Sequence, residues 1–288
     1  MKNLFRAIGV FALLLTSLTG ALAQKTLLFK ITGNGLTKPS YVFGTLHMVC
    51  TETYKLPDPV KKAIVGSDVI YTEVEIATMQ TEAMAAMKFM MAAQDSSLDK
   101  LLSADEYKKV GAFLNDTLGM PIDQLKALKP NAIATIGLQK MAPCAPFSSV
   151  DETLIKSFPK KNNKGLETIA YQMELLMSAP IKTQAKILVE TVKDWNKGKA
   201  ELKGMMDAYV AGNLDLLYKL MSESESSEML NQAELIDARN KNWVKEMPAI
   251  MKANSVFFAV GAGHLPGKMG VLALLKAKGY TVTPVALQ

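Results

Sequence analysis

The chain contains two histidines, and each closes a Gly-x-x-His quartet at the end of a short apolar run. Gly44-Thr45-Leu46-His47 follows Ser40-Tyr-Val-Phe43, and Gly261-Ala262-Gly263-His264 follows Ser255-Val-Phe-Phe-Ala-Val260. Glycines at a strand exit let the backbone turn sharply, so an imidazole can stand at the sheet edge rather than enter the core. Two imidazoles and a carboxylate can hold a divalent ion with positions left open. Such an ion acidifies bound water and polarises a substrate carbonyl. The carboxylate candidates are Glu73 and Glu75, at the exit of a strand-like run over 69–76. Alternation puts both on one face with Val69 and Tyr71. Acids are poor strand residues, so two on one face ask for a reason; the pattern leaves open which one works.

The elements that must position these groups read as a repeat. Residues 26–32 and 40–46 are strand-like and flank Gly33-Asn34-Gly35, a hairpin signal. Asp58-Pro59 starts a helix with Val60, Ala63 and Ile64 apolar, ended by Gly66, before the run at 69–76. After His264, Pro266 begins a helix carrying Val271, Leu272, Leu274 and Leu275; Gly279 caps it, and 280–285 forms a strand. Strand, Gly-x-x-His, helix, strand thus occurs twice. The expected fold is α/β (α+β): two pseudo-symmetric units build a β-sheet core from 25–77 and 254–288, and a helical insertion over 78–253 separates them. In that insertion Met84, Met87 and Met91 fall at helical spacing, as a core-facing stripe would, or as a methionine-lined groove. Lys164-Gly-Leu-Glu167 is short enough to be one further strand.

Lys2 and Arg6 precede an apolar stretch over 7–15, and Ala21-Leu-Ala23 offers small residues at the places a signal peptidase reads. The stretch is too short to span a bilayer and reads as an export signal over 1–23, leaving a single domain over 24–288. The expected location is the periplasm or outside the cell. Basic residues exceed acids only by 33 to 27 and are interleaved with them, without the basic face that nucleic-acid binding needs. Two cysteines in an exported chain most simply form one disulfide, Cys50 to Cys144. The competing reading makes Cys50, three residues after His47, a thiolate ligand.

The chain resembles the TraB/PrgY/GumN family, which includes the Tiki proteins, as a GumN-type exported member. The residues that carry the likeness are Gly44-Thr-Leu-His47, Glu73 in its strand, Lys164-Gly-Leu-Glu167 with Gln172, Arg239-Asn240, and Val260-Gly-Ala-Gly-His264 with the helix after it. The resemblance implies a fold of the erythromycin-esterase-like and ChaN-like group. It also implies a metal-dependent peptidase in which His47, His264 and Glu73 hold manganese or cobalt, with zinc as an alternative. Catalysis would fall to Glu73, His47, His264 and Arg239, the arginine steadying developing charge or pairing with Asp237 or Glu234. Asn240, Glu167 and Gln172 would contact substrate or support the site. The substrate would be a peptide or another small molecule. The alternative within the family is a non-catalytic binder that sequesters a peptide or haem in the same pocket.

Overall fold

The structure, a computed structural model, describes residues 25–223 and 233–287; the segment over 1–23 expected to be an export signal lies outside them. A hairpin opens it: β1 (Leu28–Thr32) pairs antiparallel with β2 (Ser40–Thr45), Leu28 opposite Phe43. Gly33, Asn34 and Gly35 turn it with φ of 82°, 49° and 78°, a left-handed run that glycine and asparagine tolerate best. Then come β3 (Val49–Cys50), α1 (Asp58–Gly66) and β4 (Val69–Thr72). The middle of the chain carries α2 (Met79–Met90), α3 (Leu98–Leu101), α4 (Ala104–Phe113), α5 (Ile122–Leu125) and α6 (Pro130–Leu138). It continues with β5 (Phe147–Ser148), α7 (Val150–Ser157), β6 (Asn163–Gly165) and α8 (Ile169–Leu176). Then follow α9 (Ile181–Lys193), α10 (Trp195–Val210) and α11 (Leu214–Ser222). A π-helical turn, Ala233–Ala238, runs straight into α12 (Arg239–Ala253). The chain closes with β7 (Val256–Gly261), a 3-10 turn at Ala262–His264, α13 (Val271–Ala277) and β8 (Thr281–Val285).

Six strands form one mixed sheet in the order β6-β4-β7-β2-β1-β8. The four at one side, β6, β4, β7 and β2, are mutually parallel; β1 runs against β2, and β8 against β1. Residues 256–260 of β7 are fully buried, because layers cover both faces of this central strand and no alternation is needed. From β2 the chain passes through α1 to β4, on one side of β7. From β7 it passes through α13 to β8, in the opposite direction. The neighbours β2 and β7 are therefore a topological switch point, where a crevice opens beyond the carboxyl ends of the strands. Their register sets Gly44 beside Val260 and Thr45 beside Gly261, which brings the two Gly-x-x-His quartets side by side.

Several expectations change. The strand expected over 69–76 stops at Thr72, because residues 73–75 bend away to meet the end of β6: Leu166 and Glu167 N–H donate to Glu73 O at 3.0 and 2.9 Å. Glu73 and Glu75 therefore share no strand face. The segment at 164–167 contributes a strand, but over Asn163–Gly165, and it joins the central sheet at the edge beside β4. The helix expected from Pro266 starts at Val271, since Pro266–Gly270 spends its length on turns and Gly270 is the N-cap. Met84, Met87 and Met91 do not face a core. They are 71%, 58% and 46% exposed, because α2 packs on α8 through Ala86, Phe89 and Met79 instead.

Candidate functional site

Each strand of the parallel quartet delivers one functional side chain just past its carboxyl end: Glu167 after β6, Glu73 after β4, His264 after β7 and His47 after β2. Sequence spacing alone never placed Glu167 in this row. It enters because β6 pairs with β4, Thr72 opposite Gly165.

Glu73 is buried. Its Oε1 accepts from Gly261 N–H at 2.7 Å, and Oε2 accepts from Arg239 Nη2 at 2.6 Å and Gln172 Nε2 at 3.0 Å. Burial alone would raise its pKa, but the fields of His264, Arg239 and His47 and the Gly261 hydrogen bond pull it down to about 2. Glu73 is thus an anion at any ordinary pH. Glu75 takes no part in this network; its backbone nitrogen lies under Gly165 instead, 2.7 Å from where a β-carbon would stand.

His264 is 5% exposed and held on three sides. Its Nδ1 lies 2.7 Å from Asn240 Oδ1, its ring centroid 4.5 Å from that of Trp243, and its Nε2 3.2 Å from Arg239 Nη1 and 3.8 Å from Glu73 Oε1. Burial, opposed by Glu73 and helped by Arg239 and His47, lowers its pKa to about 4. The ring is therefore neutral. Asn240 Nδ2 is already donating to the carbonyls of His264 and Met269, so its Oδ1 accepts the Nδ1 proton, and the Nε2 lone pair faces Arg239 and Glu73. Asn240 itself is fully buried, so it positions His264 and does not reach a substrate.

His47 differs: its ring is 75% exposed, and Nδ1 lies 3.6 Å from Oδ2 of Asp151, which is buried at the start of α7. Asp151 also accepts from Thr45 Oγ1 at 3.0 Å and Ser149 Oγ at 3.1 Å, so the carboxylate is fixed from the strand and from its own helix cap. This acid, first, and the charge of Glu73 raise His47 to about 9. Asp151 escaped the sequence reading because an acid in the first turn of a helix is what a helix dipole favours anyway. Its only signal is its place just after Ser149, three residues past the β5 strand that pairs with β3 near His47.

Arg239 is engaged by groups distant in sequence, and Asp237 is not among the partners described for it. Nε and Nη2 donate to Glu167 Oε1 at 2.9 and 2.6 Å, Nη2 also to Glu73, and Nη1 to Leu235 O at 3.3 Å and to His264. A guanidinium has five N–H donors, and here all five have a protein acceptor. Beneath it lies the Trp243 ring at 4.9 Å, whose Nε1 donates to Glu167 Oε2 at 2.9 Å. Gln172 Nε2 bridges the two acids, reaching Glu167 Oε1 at 2.7 Å. Glu167 and Gln172 therefore anchor Arg239. Composition holds a clue to this: Arg6 and Arg239 are the only arginines in the chain, every other basic residue being lysine. The one arginine outside the first 23 residues stands where a planar five-donor fork is required.

Cys50 and Cys144 are joined, Cα to Cα 5.8 Å, so Cys50 offers no thiolate. The bridge ties β3, just after His47, to the loop before β5, which leads into α7 and Asp151.

The arrangement defines a mixed α/β protein with an imidazole and carboxylate centre at the switch point of its sheet. The chain belongs to the TraB/PrgY/gumN family, whose sequence model matches residues 27–284. It is similar to the metalloprotease TIKI2 of Xenopus tropicalis, 24% identical over 300 aligned positions covering 85% of this chain and 57% of that protein. The chain thus spans little more than half of that relative's length. No solved structure matches the chain.

The relative's name suggests a divalent metal. The donor chemistry suits one: both imidazoles have Nδ1 engaged by an outer partner, which leaves Nε2 for an ion, and Glu73 Oε1 stands 3.8 Å from His264 Nε2. The positions are those of a guanidinium-bound centre, however. Among the described residues no three His, Cys, Asp or Glu side chains form a group that could hold a metal.

Proposed function

We propose that this protein is an exported hydrolase of peptide bonds, or of a comparable acyl carbonyl, acting in the crevice beyond β2 and β7. The observation that carries the reading is the row of Glu167, Glu73, His264 and His47 at the ends of four parallel strands. The export reading draws on the segment over 1–23 and on the disulfide, which persists in oxidising compartments. No helix among the described residues is long and apolar enough to cross a membrane.

His47, His264 and Glu73 are the groups that would hold a divalent ion, manganese, cobalt or zinc, which when bound supplies an acidified water and a polarised carbonyl. The chain's own residues supply the rest. His47 faces solvent and, held by Asp151, keeps its proton at neutral pH while no ion is bound. In that state it can meet a substrate carboxylate; with Nε2 on an ion, Asp151 holds the Nδ1 proton and fixes the ring. Glu73 stays ionised and adds to the effect of Asp151 that raises His47. Asn240 and Trp243 fix the ring of His264, and Arg239 neutralises Glu73 and Glu167 so that two acids can share a buried space.

The test uses the purified chain from Gln24 onward, with a quenched-fluorescent peptide library, in the presence of manganese, cobalt or zinc and then of a chelator. The expected result is cleavage that chelation stops and that His47→Ala lowers by about 10–100-fold or more, the scale for disturbing the residues that hold an ion. Absence of cleavage with every ion, together with a Soret band on haem addition, would make the protein a binder instead.

A further inference from the structure

We infer that Arg239 is the resident cation of this centre, seated where Glu73, Glu167 and His264 converge, so that a divalent ion can take Nε2 of His264 only when the guanidinium releases it. The inference rests on the reading of Glu73 and His264 as the heart of the site.

Three acceptors meet at one group. Glu73 Oε2 and Glu167 Oε1 each lie 2.6 Å from Nη2, and His264 Nε2 lies 3.2 Å from Nη1. Two carboxylates and a neutral imidazole are donor types that a divalent cation also takes, although with the guanidinium among them they form no group that could hold one. His264 has one lone pair to give, since Nδ1 is committed to Asn240. Arg239 Nη1 now occupies that pair, and an ion needs the same one. Like charges cannot crowd there in a buried, weakly screened space. The arginine has somewhere to stay on release. Nε and Nη2 remain on Glu167, and the Trp243 face remains beneath it at 4.9 Å. Only the contacts to Glu73 and His264 need break. The turn that carries Arg239 suits such movement: it is the first residue after a π-helical stretch, whose Leu235 carbonyl takes its remaining N–H. The composition points the same way. A chain that otherwise uses lysine spends its single arginine after residue 6 on this spot.

The experiment is a Mn²⁺ titration by calorimetry of the full mature chain as wild type, Arg239→Met and Arg239→Lys, each also with His264→Asn. Arg239→Met is expected to bind Mn²⁺ at least tenfold more tightly than wild type, with the gain abolished by His264→Asn. Arg239→Lys, which keeps the charge, should stay within a few-fold of wild type. A folded Arg239→Met variant that binds no more tightly, or whose gain survives His264→Asn, overturns the inference. Should Arg239→Met not fold, the wild type decides. With a single arginine in the mature chain, its side-chain N–H resonance is unambiguous, and Zn²⁺ must shift it on the same isotherm as the His264 ring. A His264 response without an Arg239 response overturns the inference. Cleavage lost on His264→Asn with no affinity gain in Arg239→Met would leave the hydrolase reading standing and remove this one; an affinity gain without cleavage would do the reverse.

Discussion

Two imidazoles from duplicated motifs end in opposite states because their surroundings differ. His47 stands in water beside a fixed carboxylate and is raised to about 9, whereas His264 is enclosed by Trp243, Asn240 and Arg239 and is lowered to about 4. The pair sets the pH dependence of folding. A raised folded pKa at His47 contributes stability that is complete below its ordinary value of 6.5 and lost as pH rises through about 9. A depressed one at His264 contributes stability complete above 6.5 and lost as pH falls toward about 4. Glu73, lowered from 4.5 to about 2, adds to the loss below pH 4.5. Urea midpoints measured from pH 4 to 9 should therefore peak near 6.5. The alkaline limb should be shallow, because the exposed ring of His47 is screened by solvent, and should vanish in Asp151→Asn. A curve still rising between pH 7 and 9 would contradict the His47 assignment.

At the scale of elements, the site depends on how closely β2 approaches the second quartet. A β-carbon on Gly44 would stand 2.9 Å from Leu265 Cδ1 and 3.0 Å from both Cα and Cβ of Ala262. Tyr209 Oη donates to the carbonyl of the same glycine at 2.9 Å, pinning it from α10. Gly44→Ala is expected to cost about 1–3 kcal/mol, the usual scale for overpacking, measured by chemical denaturation. The residue's own φ is unremarkable, so a neutral outcome would mean that the loop at Ala262–His264 can yield. The hairpin, α1, α13 and the two Gly-x-x-His exits were readable beforehand, since turn residues, caps and apolar spacing are local signals. The truncation of β4 at Thr72 was not, because what ends it is hydrogen bonding from residues 166 and 167, far away in sequence. The Met84, Met87 and Met91 stripe misled for a related reason. Helical spacing shows that side chains share a face, and only the neighbour decides whether that face is covered.

Across the whole molecule, the disulfide does more than close a loop. It spans 94 residues and holds the segment after His47 against the approach to Asp151, where β3 and β5 pair Cys50 with Phe147. Replacing both cysteines by serine is expected to lower stability by about 3–5 kcal/mol, the range for a long closed loop, read from urea unfolding. It should also shift the His47 ring resonance toward its ordinary pKa as the Asp151 contact loosens. Unchanged titration of His47 would show that β3 and β5 hold the pair without the bridge.

The sequence by itself determined that two strands end in histidines, that an acid follows a third strand, and that the cysteines are two in number. These follow from short-range patterns of apolar residues, glycines and caps. Only the tertiary structure decided that Glu73 and not Glu75 enters the centre, that Asp151 engages His47, and that Arg239 spends its donors on two buried acids, an imidazole and the Leu235 carbonyl. The physical reason is that burial and charge pairing belong to groups brought together from 25 to 166 residues apart, separations over which no periodicity in the chain carries information.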